Sequence, residues 1–198
     1  MAYSDYKTLE KVEKEFGFEQ KKTKLFTNFA TIEPTNSLIF ELEDGKDLAY
    51  FSEKARSEFI IAPILREIRR INKTKITVFS GVSLNVPKTK LKGICDFIIS
   101  HYPQSVELKS PLICVVEAKQ RTLEEGYGQC AAEMYATKLF NEAKNIFLPF
   151  AYGCVTNGSE WSFLKLENNV LWIDTDRYYL QNVGEVIGVF QVIINEFE

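Results

Sequence analysis

Residues 93–120 read GICDFIISHYPQSVELKSPLICVVEAKQ. Two apolar runs, ICDFIIS (94–100) and LICVVEAK (112–119), have the length and β-branched content of strands buried on both faces. The first carries Asp96 at its centre, and the second ends in Glu117-Ala118-Lys119. A carboxylate inside such a strand is costly unless it is paired, so these groups mark a site. Alternation along the strand places Ile113, Val115, Glu117 and Lys119 on one face, with Leu112, Cys114, Val116 and Ala118 on the other. With the Asp96 strand paired alongside, two carboxylates and one ammonium converge. Such oxygen ligands suit magnesium, which binds through one or two carboxylates, waters and a substrate phosphate. A lysine beside the metal stabilises negative charge or orients an attacking water.

Working outward, the chain alternates between helical and strand periods. An amphipathic helix is expected at about 4–16, and short strands near Lys24–Phe26 and Ser37–Leu42. The stretch SEKARSEFIIAPILREIRRI (52–71) has helical spacing at Glu58, Ile61, Leu65 and Ile68, with Ser52 as N-cap. Pro63 should kink this helix or remove one hydrogen bond. KITVFSGVSLNV (75–86) and LKGICDFIIS (91–100) form a hairpin through the turn PKTK. Thr122 and Glu125 predict a capping box opening a helix to about Lys144, with Gln129 in line with Ala132, Ala136, Leu139 and Phe140. Residues 151–158 and 160–166 form a second hairpin around Asn157-Gly158. VLWID (170–174) adds an edge strand, and VGEVIGVFQVIINEF (183–197) a last helix. The expected fold is α/β, a mixed β-sheet flanked by helices, as a single domain over residues 1–198.

Composition narrows the function. No apolar run reaches the ~18 residues of a membrane span, and the first 18 residues lack the apolar block of a secretory signal, so a cytoplasmic protein is expected. The four cysteines show no CxxC spacing and are expected to be buried, reduced thiols. The single histidine, His101, is expected at the surface; alone, it leaves no zinc site. No GxxxxGK[ST] or GxSxG occurs. Net charge is −3, yet Lys54 to Lys92 holds ten Lys or Arg against Glu58 and Glu67. That basic stretch lies on the elements framing the carboxylates, where a phosphate backbone would dock. On the last helix, Val189 and Val192 widen the apolar stripe, which predicts either deep burial or a homodimer.

The order Glu58, Gly93-Ile-Cys-Asp96, Glu117-Ala-Lys119 and Gln129 resembles the PD-(D/E)XK nuclease superfamily. Within it, the likeness is to the N-terminal nuclease domain of type I restriction enzyme motor subunits, over about residues 52–166. The resemblance implies a restriction-endonuclease-like core and magnesium-dependent hydrolysis of DNA, with manganese as a substitute. It makes Asp96, Glu117 and the Ala118 carbonyl metal ligands, with Glu58 helping to hold the metal or its water. Lys119 would position the water and scissile phosphate, and Gln129 would orient the site. DNA contacts are expected from Lys88, Lys90, Lys92 and Arg121, and a separate motor or specificity chain is an expected partner. The chain departs from the pattern in having no proline before Asp96, and Glu133 rather than tyrosine four residues after Gln129. The alternative is a nuclease fold that only binds DNA or a partner protein.

Overall fold

The computed structural model describes residues 2–49, 51–87 and 89–198. Its strands are β1 (Glu19–Thr23), β2 (Thr77–Asn85), β3 (Lys92–Ser100), β4 (Leu112–Ala118), β5 (Phe150–Thr156), β6 (Glu160–Glu167), β7 (Val170–Asp174) and the short β8 (Tyr178–Tyr179). They form one sheet in the order β1-β7-β6-β5-β4-β3-β2, with β8 paired to β6. β2, β3 and β4 make an antiparallel meander, and β5, β6 and β7 make another. The two are joined by the parallel pair β4–β5 through a crossover helix, α5 (Glu124–Glu142). The expected mixed sheet flanked by helices is therefore present.

Helices cover both faces, because every central strand is apolar on both sides. α4 (Ala62–Ile71) and α6 (Val183–Asn195) bury Ile64, Leu65, Ile68, Ile187 and Phe190 against one face. α5 and the short α1 (Leu9–Phe16) cover the other with Cys130, Ala131, Met134 and Val12. All four cysteines are free and buried, as expected. His101 is half-buried rather than exposed, its backbone N–H donating to the Pro111 carbonyl at 2.8 Å.

Several local expectations are corrected. Residues 37–42 lie inside helix α2 (Asn36–Leu48), because the Thr35 side chain caps it at Leu38 N and Leu38 and Leu42 face inward one turn apart. The early strand is β1 at Glu19–Thr23, not Lys24–Phe26; it pairs in parallel with β7 as an edge strand whose Lys21 and exposed neighbours discourage further pairing. α5 begins at Glu124 without a capping box, since Leu123 occupies the cap position with helical backbone angles. Helix α3 (Glu53–Arg56) runs into a π-helical turn (Ser57–Ile61) and then α4. Ala62 N–H bonds back to Ser57 O in this wider turn; Pro63 removes one helical donor, as expected, and the helix continues past it.

The wide stripe of α6 packs against the chain's own core, with Val192 left partly buried. Val189 is fully buried, and Ile32 N–H donates to Gly184 O at 3.0 Å as the segment before α2 crosses the helix. A Cβ at Gly188 would collide with the Ala30 carbonyl, so glycine is what permits this crossing.

One irregularity changes which residues share a face. The β3–β4 register shifts between Ile99 and Ser100, so Ser100 pairs with Leu112 and Ile113 is passed over. Leu112 therefore joins Val115 in the α5 layer, while Ile113 joins Cys114 in the α4–α6 layer, reversing both expected assignments. The Asn141 side chain clamps the start of β4, accepting from Leu112 N–H and donating to Leu112 O, both at 2.8 Å. Asn141→Leu should leave that buried N–H and carbonyl unpartnered and destabilise the fold by about 2–5 kcal/mol, read as a lower denaturant midpoint at unchanged slope.

Candidate active site

The expected site forms where β3 parts from β4. The last register pair is Phe97↔Val116, and beyond it Asp96 has no backbone partner on β4. Its carboxylate takes that place, with Oδ2 accepting from Ala118 N–H at 2.8 Å. On the other side, β2 places Gly81 opposite Asp96, between the pairs Ser80↔Phe97 and Val82↔Cys95. Gly81 has φ of 62°, a left-handed conformation that glycine adopts without strain. The face alternation switches here in both strands: Val78 and Phe97 belong to the α4–α6 layer, Val82 and Cys95 to the α5 layer. Asp96 is thereby turned out of the core and into a cleft.

Glu117, the penultimate residue of β4, is 1% exposed. Its Oε1 is ion-paired with Lys119 Nζ, while Oε2, like Glu133 Oε2, is buried with no N–H or hydroxyl donor among the described residues, and these two carboxyl groups lie within hydrogen-bonding reach of one another when one is protonated. Lys119 also donates to Gln129 Oε1 at 3.4 Å, and Gln129 Nε2 donates to Glu133 Oε1 at 3.2 Å. The structure thus brings Asp96, Glu117, Lys119 and Gln129 near one another. The lysine reaches this position across Gly126, where a Cβ would lie 2.5 Å from Val155 Cγ1 and 3.0 Å from Lys119 Cγ.

The expectation for Glu58 is corrected. The π turn rotates it off the inward stripe, which runs instead through Ile60, Ile61, Ile64, Leu65 and Ile68, so Glu58 stands half out of the protein, 3.7 Å from Lys54. It still lines the cleft of about 300 Å³ that Asp96 and Ala118 open into, along with Glu53, Lys54 and Ser57. Glu53, in the first turn of α3, is the helix carboxylate whose charge reaches Glu117 and Lys119. Its position just after the N-cap reads as ordinary helix-end chemistry, which hides it in the sequence. Glu133 was visible only as a departure from a family pattern; its i, i+4 spacing from Gln129 was the usable signal.

Electrostatically the cluster holds an excess of carboxylates. Burial, and then the charge of Asp96, push Glu117 up to about 8 against the pull of Lys119. Burial also raises Asp96, opposed by the Ala118 N–H and Lys119, and raises Glu133, reinforced by Glu117. Burial disfavours the Lys119 ammonium, but Glu117, Glu53 and Asp96 outweigh it and hold its pKa above the ordinary lysine value. Among the described residues, no three His, Cys, Asp or Glu side chains converge as a ready-made chelate.

The expected DNA contacts are less concentrated. Lys90 and Lys92 are exposed at the β2–β3 turn and the start of β3, with Lys92 roughly 13 Å along the strand from Asp96; Lys88 lies outside the described residues. Arg121 is exposed in the loop after β4, which is tied to the β5–β6 turn by Asn157 Nδ2 donating to its carbonyl at 2.9 Å. Elsewhere in the basic stretch, Arg66, Arg70 and Lys75 are ion-paired to Glu41, Glu67 and Glu198. Compared with known proteins, the chain matches no family model and no curated sequence. No helix of the described residues is long and apolar enough to cross a membrane.

Two outcomes follow from this geometry. Asp96→Asn keeps an acceptor for Ala118 N–H and removes a charge, so without metal it should melt at or above the parent, whereas Asp96→Ala should lose about 1–3 kcal/mol. Glu117, Asp96 and Glu133 all bind protons more tightly folded than unfolded, so they favour the fold most below the ordinary carboxylate range. Metal-free stability should fall as pH rises from about 4.5 towards about 8, the two limits for Glu117, and Glu117→Gln should flatten that decline in melting curves taken across the range.

Proposed function

We propose that this protein is a divalent-metal-dependent nuclease that hydrolyses phosphodiester bonds of DNA. The observation that carries the reading is the buried Glu117, with one oxygen on Lys119 and the other facing no basic group, within reach of the charge of Asp96, which lines an open cleft. A magnesium or manganese ion fits this set: an unpaired buried oxygen and a surplus of negative charge are what a hard cation relieves, and two carboxylates with water suffice to hold it. Asp96 and Glu117 are the side chains that would hold it, with Ala118 beside them in the cleft wall. Bound there, the ion would supply Lewis-acid charge to the phosphate and lower the pKa of water.

The chain's own residues do the rest. Lys119, the residue after the cleft-lining Ala118, would orient the attacking water and offset charge growing on the phosphate oxygens. Glu117 and the Gln129 amide carbonyl hold that ammonium between them, and Glu133 fixes which end of the Gln129 amide faces the lysine. As water oxygen bonds to phosphorus and loses a proton, the phosphorus–oxygen bond to the departing strand breaks and that oxygen is protonated. Water excluded from Glu117 keeps these charge interactions strong.

One observation favours a second reading, a fold that binds DNA or a partner without turnover: Asp96 Oδ2 already serves β4 as an acceptor. Plasmid and single-stranded DNA incubated with magnesium, manganese or EDTA separate the two. The nuclease reading expects cleavage with either metal and none in EDTA, with Glu117→Ala and Lys119→Ala each slowing it at least ~100-fold while circular dichroism stays native. Cleavage by either variant at the parent rate would remove the site assignment; binding without cleavage under both metals would establish the second reading.

A further inference from the structure

A second concavity adjoins the cleft. It measures about 550 Å³ and lies between α2, the π turn, α4 and the edge strand β2. It shares Glu58 and Ser80 with the Asp96 cleft, so whatever occupies it sits next to the phosphate placed there. Its floor is apolar, with Leu65, Val78, Phe97 and Pro63. Two aromatic rings stand at its mouth: Phe40 is 71% exposed and Phe59 38%. Leu48 beside them is 48% exposed. So much accessible apolar surface beside a charged cleft needs an occupant.

Charge divides the walls. Arg66 and Arg69 project from α4, while Glu41 and Asp44 line the α2 side. Arg66 is paired with Glu41, and Arg69 has no ion-pair partner among the described residues. An apolar floor with aromatic rims, one cationic wall and one acidic wall suits a nucleotide unit. The base stacks on the ring, its amino donors face carboxylates, and its phosphate faces a guanidinium. Intact duplex does not match, because it presents sugars and phosphates outward and keeps its base faces stacked inside.

We propose that this groove receives an unstacked base adjacent to the scissile phosphate, so that the substrate is single-stranded or locally opened nucleic acid. The inference rests on the nuclease reading above and specifies its substrate class.

The test reads binding and cleavage separately. Fluorescence anisotropy of the full chain carrying Lys119→Ala, in magnesium, compares a labelled oligonucleotide alone with the same oligonucleotide annealed to its complement. Single strand should bind more tightly than duplex. Adding Phe40→Ala should reduce that preference about 5–150-fold, the ~1–3 kcal/mol of one base stacked on an aromatic ring. Because the Phe40 ring is mostly in solvent, its removal should leave the melting temperature in place, which guards against misfolding; Arg69→Ala is the second variant and should weaken single-strand binding. The proposal is overturned if duplex binds more tightly, or if both variants leave single-strand affinity within about twofold. In parallel, the unsubstituted chain is assayed for cleavage. Metal-dependent cutting with no effect of Phe40→Ala or Arg69→Ala defeats the groove alone, whereas neither binding nor cutting of either DNA defeats the nuclease reading and the groove with it.

Discussion

The bond from Ala118 N–H to the Asp96 carboxylate stands at the point where two strands separate, and the surrounding architecture is arranged about it. A strand end inside a sheet leaves a donor that must be satisfied, and here a side chain does what a neighbouring carbonyl would otherwise do. The same divergence opens the cleft, frees the end of β4 for Glu117, and lets the next residues turn across α5. Gly81 on β2 and Gly126 on α5 serve that geometry from opposite sides: one accepts a left-handed bend, the other leaves room for the lysine stem. A structural duty therefore falls on a carboxylate that also faces the cleft.

The cluster around Glu117 is destabilising in itself. Three carboxyl groups, two of them fully enclosed, cluster around one ammonium, which is ion-paired with Glu117. A fold selected only for stability would replace them with apolar side chains of similar volume, because buried ion pairs seldom repay their desolvation. The sheet tolerates the cluster because both its faces are covered: the aromatic group of Phe26, Phe163, Tyr178 and Phe190 on one side, and the small-residue face of α5 on the other. Stability elsewhere permits the electrostatic cost of this cluster.

The helix preceding the meander shows how one local feature can serve two concavities. A π turn precedes Pro63 and, by adding a residue to the turn, moves Glu58 from the buried stripe to the ridge between the Asp96 cleft and the larger groove. Phe59 is carried outward by the same rotation, to the mouth of the groove. A regular helix would have aimed Glu58 at the sheet.

How much of this was readable beforehand depends on range. The strands around Asp96 and Glu117, the crossover helix carrying Gln129, and the second hairpin were legible, because apolar runs, alternation and an Asn-Gly turn are local signals. So was the convergence of Asp96, Glu117, Lys119 and Gln129, since ionisable groups in doubly buried strands have few places to go. Residues 37–42 were misread because a short apolar-polar run fits both periods, and only the Thr35 cap and the core under Leu38 and Leu42 choose the helix. The bulge at Ile113, the left-handed Gly81 and the π turn were decided by pairing and packing between distant segments. So were the roles of Glu53 and Glu133: a carboxylate's effect depends on what lies within a few ångströms of it. The sequence determined which strands would be doubly buried and where charge would interrupt them; tertiary structure decided which of those groups stayed inside and which oxygens found partners, because hydrogen bonds and Coulomb forces act across space and not along the chain.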